Sequence, residues 1–422
     1  MLVCETLINE YKADFISLVS GLNKDSYSDE FMLFDIESSG LDSNSEFIWL
    51  IGCVFLRNDE LFMLRYFSED ISDEKRLLEE FYLLMQAHPR LVHYNGDSFD
   101  IRFIKNRSSL YSDSYDAAFS GRDFFENTYS YDLYKHLKKF KNLLNFPGMK
   151  QKEMEVYCGY HRADKLSGAD LINIYINYIA AVRIERARLK SSMSKENSEY
   201  IIAPYRPIPG SGLPLLGSVD IESAYNAMLL HNHDDLIGML KLNRLLEFAN
   251  FLQSPDDISV STDGQRYTFT IGFPETVMEF LEKRNIIGKI RSSLPDNASF
   301  DNNTLSISFS SFEGRLKHFY SNYKDYYYIP SEDMAIHKSV SDFIDGSLKN
   351  KATPDNCYIL HNGSFIIFPP IDIATAEKLG IMIFKEEYSA RRTFLETSQL
   401  KNDNSHLQAI VAEYLKLFFK GR

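Results

Sequence analysis

Residues 31–36 read FMLFDI and run into Glu37, Ser38, Ser39 and Gly40. Four apolar residues in succession mark a buried strand. Strand alternation then places Asp35 and Glu37 on one side at its end, with Ile36 on the other. Two carboxylates held side by side repel unless a cation lies between them. A charged strand end opening a turn is the ordinary explanation of the same residues.

Working outward, residues 46–56 (EFIWLIGCVFL) read as a longer strand, and 60–67 (ELFMLRYF) as a third, after the turn residues Arg57, Asn58 and Asp59. Residues 73–88 predict a helix with Leu77, Leu78, Phe81, Leu84 and Met85 on one stripe. A short strand follows at 90–94 (RLVHY), a helix at 98–107 and a fifth strand at 127–133. The order β-β-β-α-β-α-β predicts an α/β fold, a mixed sheet flanked by helices.

Later segments divide the chain further. Helices are expected at 150–158, 168–190 and 221–252, the last capped by Asp220. Residues 185–218, charged and then rich in Pro and Gly, read as a loop insertion. Beyond 253 the pattern changes. A hairpin is expected around Asp263-Gly264, an alternating strand at 304–310, and helices at 275–284, 333–346 and 405–420. The expected organisation is an N-terminal extension (1–27), an α/β domain (28–252) and a C-terminal α+β domain (253–422).

Composition bounds the function. The chain has 422 residues, 44% of them hydrophobic, and a net charge of −13. That acidity argues mildly against a general nucleic-acid binder, so any phosphate-binding surface must be local. Four scattered cysteines suggest neither a zinc site nor a disulfide scaffold, and fit a reducing cytoplasm. The first residues lack the pattern of a signal peptide, and no apolar run is long enough for a membrane helix. A cytoplasmic protein with no membrane association is expected.

Two more motifs carry charge at telling places. In HYNGDSFDIRFI, Asn95-Gly96 makes a turn, Ser98 can cap a helix, and Asp100 falls in its first turn, where an acid also suits the helix dipole. In LLHNHDDLIGM, His231 and Asp235 are four residues apart on one helix face, about 6 Å apart along the axis. His233 and Asp234 are rivals that the helix phase disfavours. Each motif alone has an ordinary structural explanation.

Together, D-x-E at a strand end, N-G-x-x-F-D after a strand and H-x-x-x-D on a late helix resemble the DEDD superfamily of 3′–5′ exonucleases. More narrowly, residues 28–250 resemble the YprB-like ribonuclease H-like domain proteins. The resemblance implies a ribonuclease H-like fold and metal ligation by Asp35, Glu37, Asp100 and Asp235. It implies a general-base role for His231, although three residues separate it from Asp235 where His-type members have four. Two Mg²⁺ or Mn²⁺ ions would serve hydrolysis of nucleic acid at single-stranded 3′ ends. Asn95 and Phe99 are candidates to hold the terminal nucleotide. The alternative is a catalytically inactive ribonuclease H-like module that binds nucleic acid or a protein partner. Lys135, Lys138, Lys139 and Lys141, and Arg315, Lys317 and Lys324 among the tyrosines of 320–328, are further candidate contacts with nucleic acid, against a packed-core alternative for the second set.

Overall fold

The computed structural model describes residues 1–23, 26–111, 125–193, 220–292, 294–401 and 404–420. The chain divides into two compact units, residues 1–141 with 146–246, and residues 142–145 with 247–422.

The first unit contains β1 (Leu2–Leu7), α1 (Lys12–Leu22), β2 (Phe31–Ser38), β3 (Ile48–Arg57), β4 (Glu60–Phe67) and α2 (Glu74–Ala87). It continues through β5 (Arg90–His93), α3 (Asp100–Leu110), β6 (Tyr129–Asp132), α4 (Leu133–Lys138), α5 (Gln151–Tyr157), α6 (Gly168–Met193) and α7 (Ile221–Leu240). Among the described residues one sheet has the order β1-β4-β3-β2-β5-β6. Strands β1 to β4 pair antiparallel, and β5 joins β2, and β6 joins β5, in parallel. This is the expected mixed sheet. Residues 1–27, read from sequence as an extension, supply its edge strand and α1.

Strand β3 is buried at every position but its last, as a strand covered on both faces must be. Met32, Phe34 and Ile36 pack with Leu77, Leu78 and Phe81 of α2 and with Phe103 and Ile104 of α3. On the opposite face Trp49, Leu50 and Phe67 meet Leu171, Tyr175 and Tyr178 of α6 and Met228 of α7. The Trp49 and Tyr175 rings stack at 4.4 Å. Alternation along β2 therefore sends Asp35 and Glu37 toward the side on which α7 lies.

The helix expected over 221–252 is broken. Helix α7 ends at Leu240, and α8 spans Asn243–Gln253. At the break the Asn243 side chain accepts from Arg244 N–H, and it also donates to Asp14, which Lys241 pairs as well. The apolar periodicity continues across this point, so the break leaves no mark on the pattern. Helix α6 takes in residues 185–193 of the expected insertion; its remainder, 194–218, lies outside the described residues.

The second unit opens with β7 (Ile258–Thr262) and β8 (Arg266–Gly272), the expected hairpin, and then α9 (Glu275–Lys283) and α10 (Ile286–Ser292). Its strands continue as β9 (Ala298–Asp301), β10 (Thr304–Ser310), β11 (Phe312–Phe319), β12 (Tyr326–Ile329), β13 (Met334–His337), β14 (Asn350–Lys351) and β15 (Tyr358–Phe368). Helix α11 (Ile373–Lys378), β16 (Ile383–Phe384), β17 (Thr393–Glu396) and α12 (Asn404–Phe419) close it. The described strands form sheets ordered β7-β8-β10-β9, β11-β15-β17-β16 and β13-β12-β14. The helix expected at 333–346 is instead β13 followed by 3-10 turns. His337 and Asp345 accept from backbone N–H groups two residues on and so start turns, and Phe343, needed for an apolar helical stripe, is 90% exposed. The tyrosine-rich run is packed rather than open. Tyr320 stacks on Tyr326, and both lie against Ala335, Ala352 and Cys357.

No helix among the described residues is long and apolar enough to cross a membrane.

Buried Glu74 shows how the first unit treats an acid it keeps for structure. It accepts from Arg107 Nε and Nη2, from Tyr111 Oη and from Ile48 N–H, tying α2, α3 and β3 together. Breaking a buried pair leaves an uncompensated charge. Arg107→Ala is expected to destabilise the first unit by about 3–5 kcal/mol, read as a lower urea midpoint by tryptophan fluorescence of Trp49.

Candidate metal centre

The centre is built from the end of β2 outward. Gly52 lies opposite Asp35 in the β2–β3 register. Asn232 of α7, with no exposed surface, fills the space above that glycine and donates Nδ2–H to Asp35 Oδ2 at 3.1 Å. A Cβ at position 52 would stand 2.0 Å from Asn232 Oδ1. Glycine is therefore required there by close approach and not by backbone conformation.

Asp100 arrives from the turn after β5. Asn95 takes the left-handed conformation at φ 63°, which asparagine tolerates. Asp132 accepts from Asn95 N–H at 2.9 Å, and His93 Nδ1 accepts from Gly96 N–H at 3.0 Å. Asp100 then opens α3 and accepts from Ile36 N–H at 3.4 Å. Ser98 does not cap this helix; its hydroxyl donates back to Asn95. Asn95 is exposed, while Phe99 is half-buried and packs on Phe103 at 5.5 Å.

His231 and Asp235 come from α7 on the expected face. His231 Nε2 lies 3.2 Å from Asp235 Oδ2 and 3.7 Å from Glu37 Oε1, and its Nδ1 lies 2.8 Å from Asp164 Oδ2. Ligand atoms of Glu37, His231 and Asp235 all lie within 4.8 Å of one another, close enough for one ion. The rival Asp234 is turned elsewhere, accepting from Asp164 N–H and Tyr160 Oη. His233 Nδ1 lies 3.1 Å from the same Asp234.

Residues that the sequence reading passed over hold this group from behind. Arg162, buried between α5 and α6, places Nη1 2.7 Å from Asp235 Oδ1 and also binds Glu155 with two nitrogens. Lys152 pairs with Asp164 at 3.2 Å. The polar run His161-Arg162-Ala163-Asp164 before the Ser167-Gly168 helix start was the signal available, but a loop has no period that says which way its side chains point.

The electrostatics tie the four acids into one group. Asp35 and Glu37 keep some exposed surface, yet burial is the largest influence on both. Burial, then the charges of Asp235, Glu37 and Asp100, push the Asp35 carboxyl well above its usual range. Burial, then Asp235, Asp100 and Asp164, do the same to Glu37. Asp100 is pushed up to about 6, chiefly by burial and with a contribution from Asp235, against the opposing pull of His93.

The unit that carries these residues has a ribonuclease H-like fold. Residues 32–188 match the family model described as the RNase_H superfamily. The comparison with curated proteins gives no match. Among solved structures, the chain is similar to a family B DNA polymerase from the archaeon Pyrobaculum calidifontis. That likeness has 13% identity and a TM-score of 0.34, over 53% of this chain and 26% of the polymerase. An exonuclease I from Methylocaldum szegediense is similar at 12% identity and a TM-score of 0.25, over 34% of this chain and 39% of that one. E. coli exonuclease I in complex with a dT13 oligonucleotide is similar at 10% identity and a TM-score of 0.27, over 90% and 73%. The chain thus spans about a quarter of the polymerase and about two fifths of the Methylocaldum exonuclease.

Two measurements check this geometry. A carboxyl whose folded pKa exceeds its unfolded value keeps more protons in the folded chain, so stability falls as pH rises through the interval. In EDTA the cluster should therefore lower the melting temperature as pH rises from about 4, Asp100 contributing up to the value of about 6 that it reaches and Asp35 and Glu37 adding to the slope. Asp35→Asn should flatten that slope and melt above wild type at pH 8. Separately, Mn²⁺ at about a hundredfold excess over its Kd should stabilise wild type by about 2.7 kcal/mol. Gly52→Ala, by displacing Asn232 from Asp35, should cut that stabilisation by at least half in thermal melts.

Proposed function

We propose that the first unit is a metal-dependent nuclease that releases nucleotides from single-stranded 3′ ends with two Mg²⁺ or Mn²⁺ ions. The observation that carries the reading is the convergence of Asp35, Glu37, Asp100 and Asp235: the last three all raise the Asp35 carboxyl, and Asp235 also raises Glu37 and Asp100. Such a group is costly for folding alone, and its hard oxygen donors suit Mg²⁺ or Mn²⁺ better than a softer ion.

When bound, the ions would neutralise charge on the scissile phosphate and lower the pKa of the attacking water. The chain's own residues would do the rest. Asp35 and Glu37 offer oxygens from one face of β2, and Asp100 offers them from the start of α3. Arg162 holds Asp235 by one oxygen and leaves the other facing His231. With Nδ1 against Asp164, His231 has its Nε2 turned to the acids, in position to take the proton of the attacking water. Asn95, exposed on its turn, and the open edge of Phe99 would contact the terminal nucleotide.

A second reading has one observation in its favour. Asp235 already has Arg162 on one oxygen and His231 near the other, so an inactive module could keep that acid compensated without an ion.

The test uses 5′-labelled single- and double-stranded DNA and RNA with Mg²⁺ or Mn²⁺. A descending ladder from the 3′ end is expected for single strands, falling to background in Asp35→Ala and Asp100→Ala. His231→Asn should lower kcat by roughly 10²–10⁴-fold. Intact substrate under all conditions, from a folded wild-type chain, would overturn the enzyme reading and leave the binding module.

A further inference from the structure

The second unit contains a cleft of about 560 Å³ that the proposed reaction does not use. Its walls include Ile367 of β15, Pro369 and Pro370 just after it, Phe309 of β10, and Tyr414 and Leu417 of α12. Ile367 and Leu417 are each about half exposed, at 54% and 51%, so the cleft opens to solvent. An exposed apolar surface of this kind usually awaits a partner.

Away from the arginines at its rim, several polar groups at the walls are already paired. Tyr414 Oη donates to Ile367 O at 2.6 Å, and Thr393 Oγ1 serves the carbonyls of Phe368 and Pro369 at 3.0 and 2.8 Å. The exposed Asn297 at the edge has its Nδ2 on Ser308 O. The interior of the cleft therefore has little hydrogen bonding to offer, and an occupant must insert a group that asks for none. A nucleobase, with donors and acceptors around its edge, would leave them unpaired at a cost. An aliphatic or phenyl side chain would not.

The rim selects a charge. Arg391 and Arg392 both line the cleft, are exposed, and make no ion pair with a described residue. No carboxylate lies among the lining residues. Adjacent guanidiniums beside an apolar cleft fit an occupant that is apolar inside and anionic outside, and carboxylates match guanidinium geometry in pairs. We propose that this cleft binds a protein partner through a peptide segment whose apolar side chain enters the cleft while its neighbouring carboxylates meet Arg391 and Arg392.

The test is fluorescence anisotropy with the full chain and a panel of fluorescein-labelled acidic decapeptides, each carrying one Leu, Ile, Phe or Trp flanked by aspartates. A single-stranded oligothymidylate in EDTA is titrated in parallel. Expected is saturable binding of at least one of these peptides. It should weaken at least tenfold when the peptide's apolar residue becomes Ser, when Arg391→Glu and Arg392→Glu are combined, and in Leu417→Ser, with unchanged melting temperatures. Retained binding in the arginine double variant overturns the proposal. So does failure of every peptide to bind below millimolar concentration. Oligothymidylate binding that the arginine variant abolishes, without peptide binding, would reassign the cleft to nucleic acid. Because the readout is peptide binding without metal, its outcome is independent of the nuclease reading.

Discussion

Repulsion among Asp35, Glu37, Asp100 and Asp235 is the constraint to which the first unit's arrangement answers. The four acids come from three local devices: alternation at the end of β2, the first turn of α3, and one face of α7. None of these devices needs the others. Only the packing of α7 across β2 and β3 brings them together, and that packing rests on Gly52 leaving room for Asn232. Among the described residues, Asp35 meets a neutral amide where a stability-driven fold would supply a cation.

The contrast with Glu74 makes the point quantitative in kind. Glu74 is completely buried and answered by a guanidinium, a phenol and a backbone N–H. The fold can therefore compensate a buried acid when structure is all that is at stake. At the end of β2, among the described residues, guanidinium or ammonium ion pairs reach only the edges, through Arg162 on Asp235 and Lys152 on Asp164. The uncompensated part faces inward, toward the other acids. Residues whose environments shift them together in this way are where local stability has been given up, and such places are candidates for function.

Much of this was legible in the sequence because period and chemistry coincided. Period two placed Asp35 and Glu37 on one side; period 3.6 placed His231 with Asp235 and turned Asp234 away; the Asn95-Gly96 turn fixed the start of α3 near Asp100. What stayed hidden had no period. Arg162 and Asp164 lie in a loop, and only tertiary packing aims them. Gly52 sat inside an apolar run, where its missing side chain looked incidental. The break between Leu240 and Asn243 interrupts a hydrophobic pattern that continues on both sides. The edge strand β1 carries mostly exposed residues and so has no buried stripe to find. At 334–337 the short strand pairs with Tyr326–Ile329 in a hairpin, and that cross-strand pairing outweighs the helical pattern of its neighbours.

Net charge adds a coupling to the proposed activity. A chain at −13 with carboxylates at its site repels a phosphate backbone, and among the described residues no lysine or arginine pairs with Asp35 or Glu37 to offset that repulsion. Cations held among the acids would reverse the local sign, so their occupancy and the affinity for an anionic substrate would have to rise together. Linkage makes such a coupling reciprocal: whatever factor the ions add to substrate affinity, the substrate adds to theirs. An acidic protein can in this way confine phosphate binding to the place where hydrolysis occurs, because elsewhere on its surface the general field opposes it.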